Sequence, residues 1–241
     1  MVRARHILPP SLALLGALAF GLSSCGDGGG GSGAGTSGPP FIGAELNSFP
    51  PGAEPPGFTT NATVVLLDDN NNSIASATVT MNAVHLVYNP DAEEYEGRVL
   101  VPQSGFVALS VTVKGVTYNA GATQFTSYPA VSSPASGDTW DSSVANLVSW
   151  SGGSPTADAE YVLGILDAGN ADGQLIWPPD HFIQELPIGT ASFSIAAGSV
   201  TAGSRFLIAG ISGETTIPGA ADGSALVVEG FTYVPITVTG P

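Results

Sequence analysis

The residues that could carry out catalysis are few in this chain, and their spacing matches no catalytic motif. Besides His6 near the N-terminus, the 241 residues include only His85 and His181 as histidines. A Ser-His-Asp triad needs a serine and a carboxylate on either side of one imidazole, and the adjacency of Asp180 and His181 does not create that geometry. No serine lies in a G-x-S-x-G elbow. We therefore expect no catalytic residue and no enzyme.

Four carboxylates lie close together in the first half of the chain: Asp91, Glu93, Glu94 and Glu96. Paired carboxylates are the groups that hydrolyse glycosides. The surrounding sequence predicts a short turn, where contact with solvent would keep their pKa values ordinary. We therefore predict no hydrolase site there.

Calcium is the metal ion that the sequence fits best. A run of acidic and amide side chains offers the hard oxygen ligands that Ca²⁺ prefers; its candidate ligands are Asp68, Asp69, Asn70 and Asn72. The alternative is an Asx-rich turn at a hairpin tip, which needs no metal. Residues 167–173 have the wrong spacing for an EF-hand loop. Two histidines in separate modules predict no zinc site.

Three tryptophans could form a platform for sugars: Trp140, Trp150 and Trp177. In β-sandwiches such residues more often pack in the core. Trp150 is expected in the core. Trp177, which precedes Pro178 and Pro179, is the one we expect to be exposed, and it is the weak candidate for ligand binding.

The N-terminus has the layout of a secretory signal. Arg3 and Arg5 precede an apolar stretch over residues 11–22, which is too short for a membrane span of about 20 residues. The stretch ends in Leu22-Ser23-Ser24-Cys25, which resembles the lipobox of bacterial lipoproteins. The resemblance implies that residues 1–24 are removed as a signal peptide and that Cys25, the only cysteine, is acylated.

The charge of the chain excludes several partners. Without Arg3 and Arg5 the chain keeps three cations against twenty anions, a formal charge of −17. Nucleic-acid binding and electrostatic docking onto anionic lipids are therefore not expected. The predicted partners are the lipid bilayer, through acylated Cys25, and a protein or glycan that the sequence does not identify. The predicted location is the cell membrane or outer membrane, outside the cytoplasm.

The elements that follow predict an all-β fold with two sandwich modules. Charged residues are scarce and short apolar runs alternate with Gly, Pro and Asn turns. A Gly-rich tether is expected directly after Cys25. The predicted segments are a linker over residues 25–58, a first module over residues 59–128 and a second over residues 129–241. Within the first module, residues 62–67 and 74–81 are predicted to form a hairpin, and Lys114-Gly115 a tight turn.

Both modules resemble known sandwich families. The stretches LLDDNNNSIASATVTMN, YEGRV and GFVALSVTVKGVTY are similar to carboxypeptidase-regulatory-like (transthyretin-like) modules. Residues 130–168, which include Trp140 and Trp150, resemble Ig-like/fibronectin-III-like modules of the Kre9/Knh1 type. The resemblance implies a sandwich architecture, although the Cys-Trp-Cys core of antibody domains is absent.

These features predict a lipid-anchored cell-envelope protein with a non-catalytic interaction or structural role. The alternative is a carbohydrate-binding or adhesion module, with Ca²⁺ as a stabiliser. A hydrolase is the third reading.

Overall fold

The computed structural model describes residues 38–50, 52–54, 61–153, 159–169, 175–178 and 183–240. Within these ranges all regular secondary structure is β-strand, and no helix is present. The prediction of an all-β fold is confirmed. No helix in the described ranges is long and apolar enough to cross a membrane.

The largest unit is a ten-stranded sheet, here called the long sheet. Its central path runs in the order β13-β12-β16-β17-β1-β2-β6-β5, with β10 added beside β17 and β14 beside β12. Its strands are β1 (Phe41–Ser48), β2 (Ala62–Leu67), β5 (Val87–Asn89), β6 (Glu94–Gly97), β10 (Thr139–Asp141), β12 (Glu160–Asp167), β13 (Leu175–Trp177), β14 (Gln184–Leu186), β16 (Gly203–Thr216) and β17 (Ala225–Thr239).

Two smaller sheets supply the facing layers. The four-stranded sheet has the order β4-β3-β7-β8, and the three-stranded sheet has the order β15-β11-β9. Their strands are β3 (Thr78–Met81), β4 (Val84–His85), β7 (Phe106–Val113), β8 (Val116–Thr123), β9 (Pro129–Ser133), β11 (Asn146–Gly152) and β15 (Ser192–Ile195).

Alternation of apolar residues explains how the four-stranded sheet packs against the long sheet. In β7 every second residue is buried, from Val107 to Val113, because successive side chains of a strand point to opposite faces. The buried residues of β1 and β2 alternate in the same way over Ile42–Leu46 and Ala62–Leu66. All of these side chains belong to one core cluster, so the four-stranded sheet and the long sheet form a sandwich.

The second sandwich forms where β12 and β16 face the three-stranded sheet. Tyr161 packs edge-on against Trp150, with ring centroids 5.7 Å apart. Nearly every residue of β12 is buried, because its other face carries a separate, smaller apolar cluster that includes Val162, Phe231 and Ile183. This strand therefore reads as a continuous apolar run rather than an alternating one.

The hairpin of β16 and β17 joins the two sandwiches. The strands pair antiparallel along their whole length, from Gly203↔Val238 to Thr216↔Ala225. The early part of β17 pairs parallel with β1, whereas its last residues pair parallel with β10. Both sandwiches consequently share two continuous strands.

The sequence-based boundaries differ from the structure at β1. Residues 41–48 lie inside the predicted linker over residues 25–58, where Phe41, Ile42 and Leu46 predict a short first strand packed on the module. That strand forms as β1, between β2 and β17. The first sandwich also includes the last residues of β16 and the first residues of β17, which lie outside the predicted module over residues 59–128. These pairings join residues about 180 positions apart, which a local pattern cannot reveal.

The predicted hairpin of residues 62–67 and 74–81 forms only next to its turn. There Leu67 bridges Ser73, and the backbone N–H of Ile74 donates to the carbonyl oxygen of Leu66 (2.9 Å). Beyond this point the segments separate, because β2 lies in the long sheet between β1 and β6 whereas β3 lies in the four-stranded sheet. The tight turn predicted at Lys114-Gly115 is confirmed, since Val113 pairs with Val116.

Candidate functional site

The outer side of the four-stranded sheet is a broad surface without charge. The pairing register puts eleven residues on this side, and we call them the threonine face: Thr78, Thr80, His85, Phe106, Ala108, Ser110, Thr112, Thr117, Asn119, Gly121 and Thr123. Seven of the eleven are exposed and the others half-buried. With histidine neutral, none carries a formal charge, although the whole chain has a net charge of −15.

Phe106 is the large apolar side chain of the threonine face. It is 63% exposed and lies at the start of β7. Its ring lies over Gly121 of the neighbouring strand, where a Cβ atom would collide with the ring. An aromatic ring above a strand glycine covers backbone that a side chain would otherwise protect. The ring is thus supported from below while its other side faces solvent.

Asn82 fixes the backbone beneath this ring. Its side-chain amide donates to the carbonyl oxygen of Phe106 (3.0 Å), and its Oδ1 accepts from the backbone N–H of Ala108 (2.7 Å). Asn82 has a positive φ of 48°, a conformation that asparagine tolerates better than most residues. The start of β7 is therefore held by both side-chain and ladder hydrogen bonds.

Two further contacts order the face. The hydroxyl groups of Thr112 and Thr117 lie 2.9 Å apart across the β7–β8 pair. The His85 ring Nδ1 lies 3.0 Å from the carbonyl oxygen of Val79. The side chain of His85 is exposed.

The threonine face was not predicted from the sequence. Apolar alternation over residues 107–113 predicts the inward side of β7, but the outward residues Ala108, Ser110 and Thr112 match no motif. The signal that could have revealed them is the absence of Lys and Glu at outward positions, where solvated strands usually carry charge.

The 68–72 loop, predicted as a weak calcium site, is held together by its own hydrogen bonds. Asp68 Oδ1 accepts from the backbone N–H groups of Asn70 (2.8 Å) and Asn72 (2.9 Å), and the Asn72 side-chain amide donates to both carboxylate oxygens. The bonds from Asn72 and then Asn70 lower the pKa of Asp68. The loop therefore has the hydrogen bonds of an Asx turn, which needs no metal.

Asp69 points elsewhere and accepts a hydrogen bond from the backbone N–H of Gly38 (2.6 Å). Among the described residues, no three His, Cys, Asp or Glu side chains are placed to hold a metal ion together. Calcium binding by Asp68, Asp69, Asn70 and Asn72 stays a prediction.

The carboxylate cluster differs from expectation at Glu94. This residue is 3% exposed, and burial followed by the nearby Glu96 raises its pKa to about 8. Glu96 in turn accepts a hydrogen bond from the Asn89 side chain (2.7 Å). The expectation that solvent would keep this cluster ordinary is therefore wrong for Glu94, because it starts a strand of the long sheet rather than lying in the preceding turn.

A shallow open pocket of about 380 Å³ lies beside Glu96, and it is lined by residues of β5 and β6, including Tyr88 and Glu96, and by Arg98, which follows β6. Arg98 forms an ion pair with Glu54 (2.7 Å).

The tryptophans lie in the core. Trp140 is 6% exposed, Trp150 5% and Trp177 6%. Trp150 occupies the core position predicted for it. The expected exposure of Trp177 is wrong, because its ring packs against Phe193 with centroids 5.8 Å apart. A role in ligand binding for Trp177 is untested, but its ring is not an open platform.

Several sequence-based predictions fall on residues outside the described ranges. These are the signal peptide of residues 1–24, the lipidation site Cys25, the Gly-rich tether up to residue 37, and the Asp180-His181 pair.

Comparisons with known proteins give a distant likeness. No family model matches the chain, and no curated protein matches it. Among solved structures, similarity is found to "Sidekick-1 immunoglobulin domains 1-5" (13% identity, TM-score 0.22), covering 85% of this chain and 40% of that one. An ICAM-5 D1-D4 ectodomain fragment gives 14% identity and a TM-score of 0.26, covering 74% and 49%.

The S-layer protein SbsC domains 4 and 5 give 14% identity and a TM-score of 0.19, covering 74% of this chain and 83% of that one. The chain thus spans less than half the length of the first two matched structures.

Proposed function

We propose that this chain is a lipid-anchored protein of the cell envelope that acts as a non-catalytic interaction module. The observation that carries the proposal is the threonine face, an exposed sheet surface without charge on a strongly acidic protein. The acidic side chains on the rest of the molecule keep its surface solvated and make copies of the protein repel each other. A face that lacks them is where close contact with another molecule meets the least repulsion.

Attachment to the membrane is proposed to occur through Cys25. One acyl chain gives only marginal binding, and stable anchoring needs two signals, which the diacylglyceryl group implied by the lipobox resemblance would supply. The acidic charge gives no attraction to anionic head groups, so the lipid is the source of membrane affinity in this proposal.

The point at which the chain enters the fold indicates which sandwich lies nearer the proposed anchor. Gly38 is bound to Asp69, and the carbonyl oxygen of Pro40 accepts from the backbone N–H of Ala221 (3.0 Å). The chain therefore enters beside the 68–72 loop and the turn that precedes β17. From this entry point β17 leads away over fifteen residues, which span at most about 50 Å at about 3.4 Å per residue. We infer that the first sandwich is nearer the membrane and the second extends outward.

The test of anchoring is membrane fractionation of Cys25→Ala beside wild type. We expect wild type in the membrane fraction after a high-salt, alkaline wash and Cys25→Ala outside it. Ser32→Ala, a substitution in the tether, is the matched control and is expected to behave as wild type. A Cys25→Ala protein that stays in the washed membranes would contradict the proposal.

Carbohydrate binding or adhesion is the second candidate. It is favoured by one observation, the exposed and supported ring of Phe106 among hydroxyl and amide side chains. Stabilisation by Ca²⁺ at the 68–72 loop belongs to this second candidate.

A further inference from the structure

We propose that the threonine face binds an uncharged linear polysaccharide, with Phe106 as the platform for one sugar ring. The inference rests on the second candidate proposed above, carbohydrate binding by an interaction module, and names the class of ligand. Four properties of the face support it: the lack of charge, the small area, the hydroxyl-rich side chains and the rigid backbone.

Charge excludes ionic partners. The face offers no cation to a polyanion, and the twenty acidic residues elsewhere repel one. It equally offers no carboxylate to a basic protein. Lys114 lies in the β7–β8 turn, at the end of the face remote from Phe106. A neutral ligand avoids the desolvation of charge that ionic contacts would require.

Size argues against a folded protein as the occupant. Four strands about 4.8 Å apart and the eight residues of β7 give a surface of about 14 Å by about 23 Å, roughly 300 Å². A stable protein interface buries about 800 Å² on each partner. The face is therefore too small for a stable dimer of this chain, whereas an extended polymer can lie along it.

Chemistry points to hydroxyl-rich ligands. Six hydroxyl side chains, the amide of Asn119 and the imidazole of His85 can each donate and accept hydrogen bonds. They repeat at about 7 Å along the strands and about 4.8 Å between them. Phe106 adds one exposed aromatic surface, on which the apolar C–H side of a sugar ring can pack. A single large apolar residue is too little for insertion into a membrane.

Rigidity lowers the cost of binding. The ring of Phe106 rests on Gly121, the Asn82 side chain holds the backbone at both Phe106 and Ala108, and every residue of β7 is paired with β8. A surface that is already ordered loses little conformational freedom when a ligand arrives.

The experiment uses the full-length lipidated protein in detergent, tested for co-sedimentation with cellulose, chitin, starch granules and insoluble xylan. Soluble alginate, a polyanion, serves as the charged comparison in affinity electrophoresis. We expect binding to at least one neutral polysaccharide and none to alginate. Phe106→Ala is expected to weaken that binding about tenfold, as for removal of a buried aromatic contact.

Two further variants make the test specific. Asn119→Ala lies on the face away from the ring and is expected to weaken binding without altering the packing over Gly121. Leu147→Ala removes an apolar side chain that is 56% exposed in β11, outside the face, and should bind as wild type. Thermal unfolding of each variant establishes that it is folded.

Any of several results would overturn the inference: no binding to any of the four neutral polysaccharides, binding to alginate alone, or loss of binding in Leu147→Ala equal to that in Phe106→Ala. Self-association of wild type that Phe106→Ala abolishes would also overturn it, by assigning the face to a second copy. Fractionation of Cys25→Ala is independent of these outcomes, so anchoring and ligand class succeed or fail separately.

Discussion

At the scale of single residues, Glu94 is a carboxyl group buried against a second one. Its side chain is removed from solvent at the start of β6, next to Glu96. Burial disfavours the charged form, and the negative charge of Glu96 disfavours it further, so the pKa rises from 4.5 to about 8. The folded protein thus holds a proton at neutral pH that the unfolded chain releases.

This arrangement predicts a pH-dependent stability. The folded state binds more protons than the unfolded state between pH 4.5 and about pH 8. The contribution of Glu94 to the free energy of unfolding is therefore fully present below pH 4.5 and is lost as the pH rises to about 8, with a limiting slope of about 1.4 kcal/mol per pH unit. Glu94→Gln keeps the neutral shape and should remove most of this slope in thermal unfolding measured from pH 5 to 8.

The matched control is Glu93→Gln, which changes the exposed neighbouring residue. It should keep the wild-type pH dependence. An unchanged slope in Glu94→Gln would show that Glu94 is ionised in the folded protein at neutral pH.

At the scale of elements, β1 decides whether the first sandwich is complete. It fills the position between β2 and β17, and its side chains Ile42 and Leu46 are fully buried. Burial of a side chain of this type contributes about 1.5–3 kcal/mol. Two such residues therefore account for a large part of the 5–15 kcal/mol by which a domain is stable.

Truncation tests this role. A chain of residues 59–241, which starts at the module boundary predicted from the sequence, should be unfolded or aggregated, because β2 and β17 would each lose a partner. A chain of residues 38–241 should unfold at the same temperature as residues 26–241. Circular dichroism during heating measures both.

A point substitution gives the same information with less disruption. Leu46→Ala should lower the free energy of unfolding by about 2–5 kcal/mol. Leu100→Ala, at a position 76% exposed, should change it by less than about 0.5 kcal/mol. Stable folding of residues 59–241 would mean that β1 is dispensable and that the sandwich closes without it.

At the scale of the whole molecule, the two sandwiches share strands and a core. The β16–β17 hairpin runs through both, and a single core cluster includes side chains from all three sheets. Gln124 reinforces the junction: its side-chain amide donates to Ser48 Oγ (2.9 Å) and to the carbonyl oxygen of Glu229 (3.1 Å). Local loss of one sandwich would expose apolar surface of the other.

We therefore predict a single unfolding transition. All three tryptophans lie in the second half of the chain, so their fluorescence reports on the second sandwich, whereas circular dichroism reports on both. The two signals should share one midpoint. Leu109→Ala, which alters the first sandwich, should lower both by the same several degrees. A tryptophan midpoint that stays at the wild-type value would show that the sandwiches unfold independently.

Local patterns in the sequence were enough to predict the kind of secondary structure and many strand positions. The strand predicted at residues 62–67 coincides with β2, and the tight turn predicted at Lys114-Gly115 joins β7 to β8. These features depend on residues within a few positions of each other. The resemblance of Leu22-Ser23-Ser24-Cys25 to a lipobox likewise depends on neighbouring residues, and the anchoring that it predicts awaits its test.

Tertiary structure alone decided which strands are neighbours and which side chains are covered. β2 pairs with β1 rather than continuing as a hairpin with β3. Trp177 is buried against Phe193, and Glu94 is buried rather than exposed to solvent. The threonine face exists because β3, β7 and β8 align their outward residues in register. Strand pairing and burial depend on contacts between distant parts of the chain, and a sequence pattern records only one side of each contact.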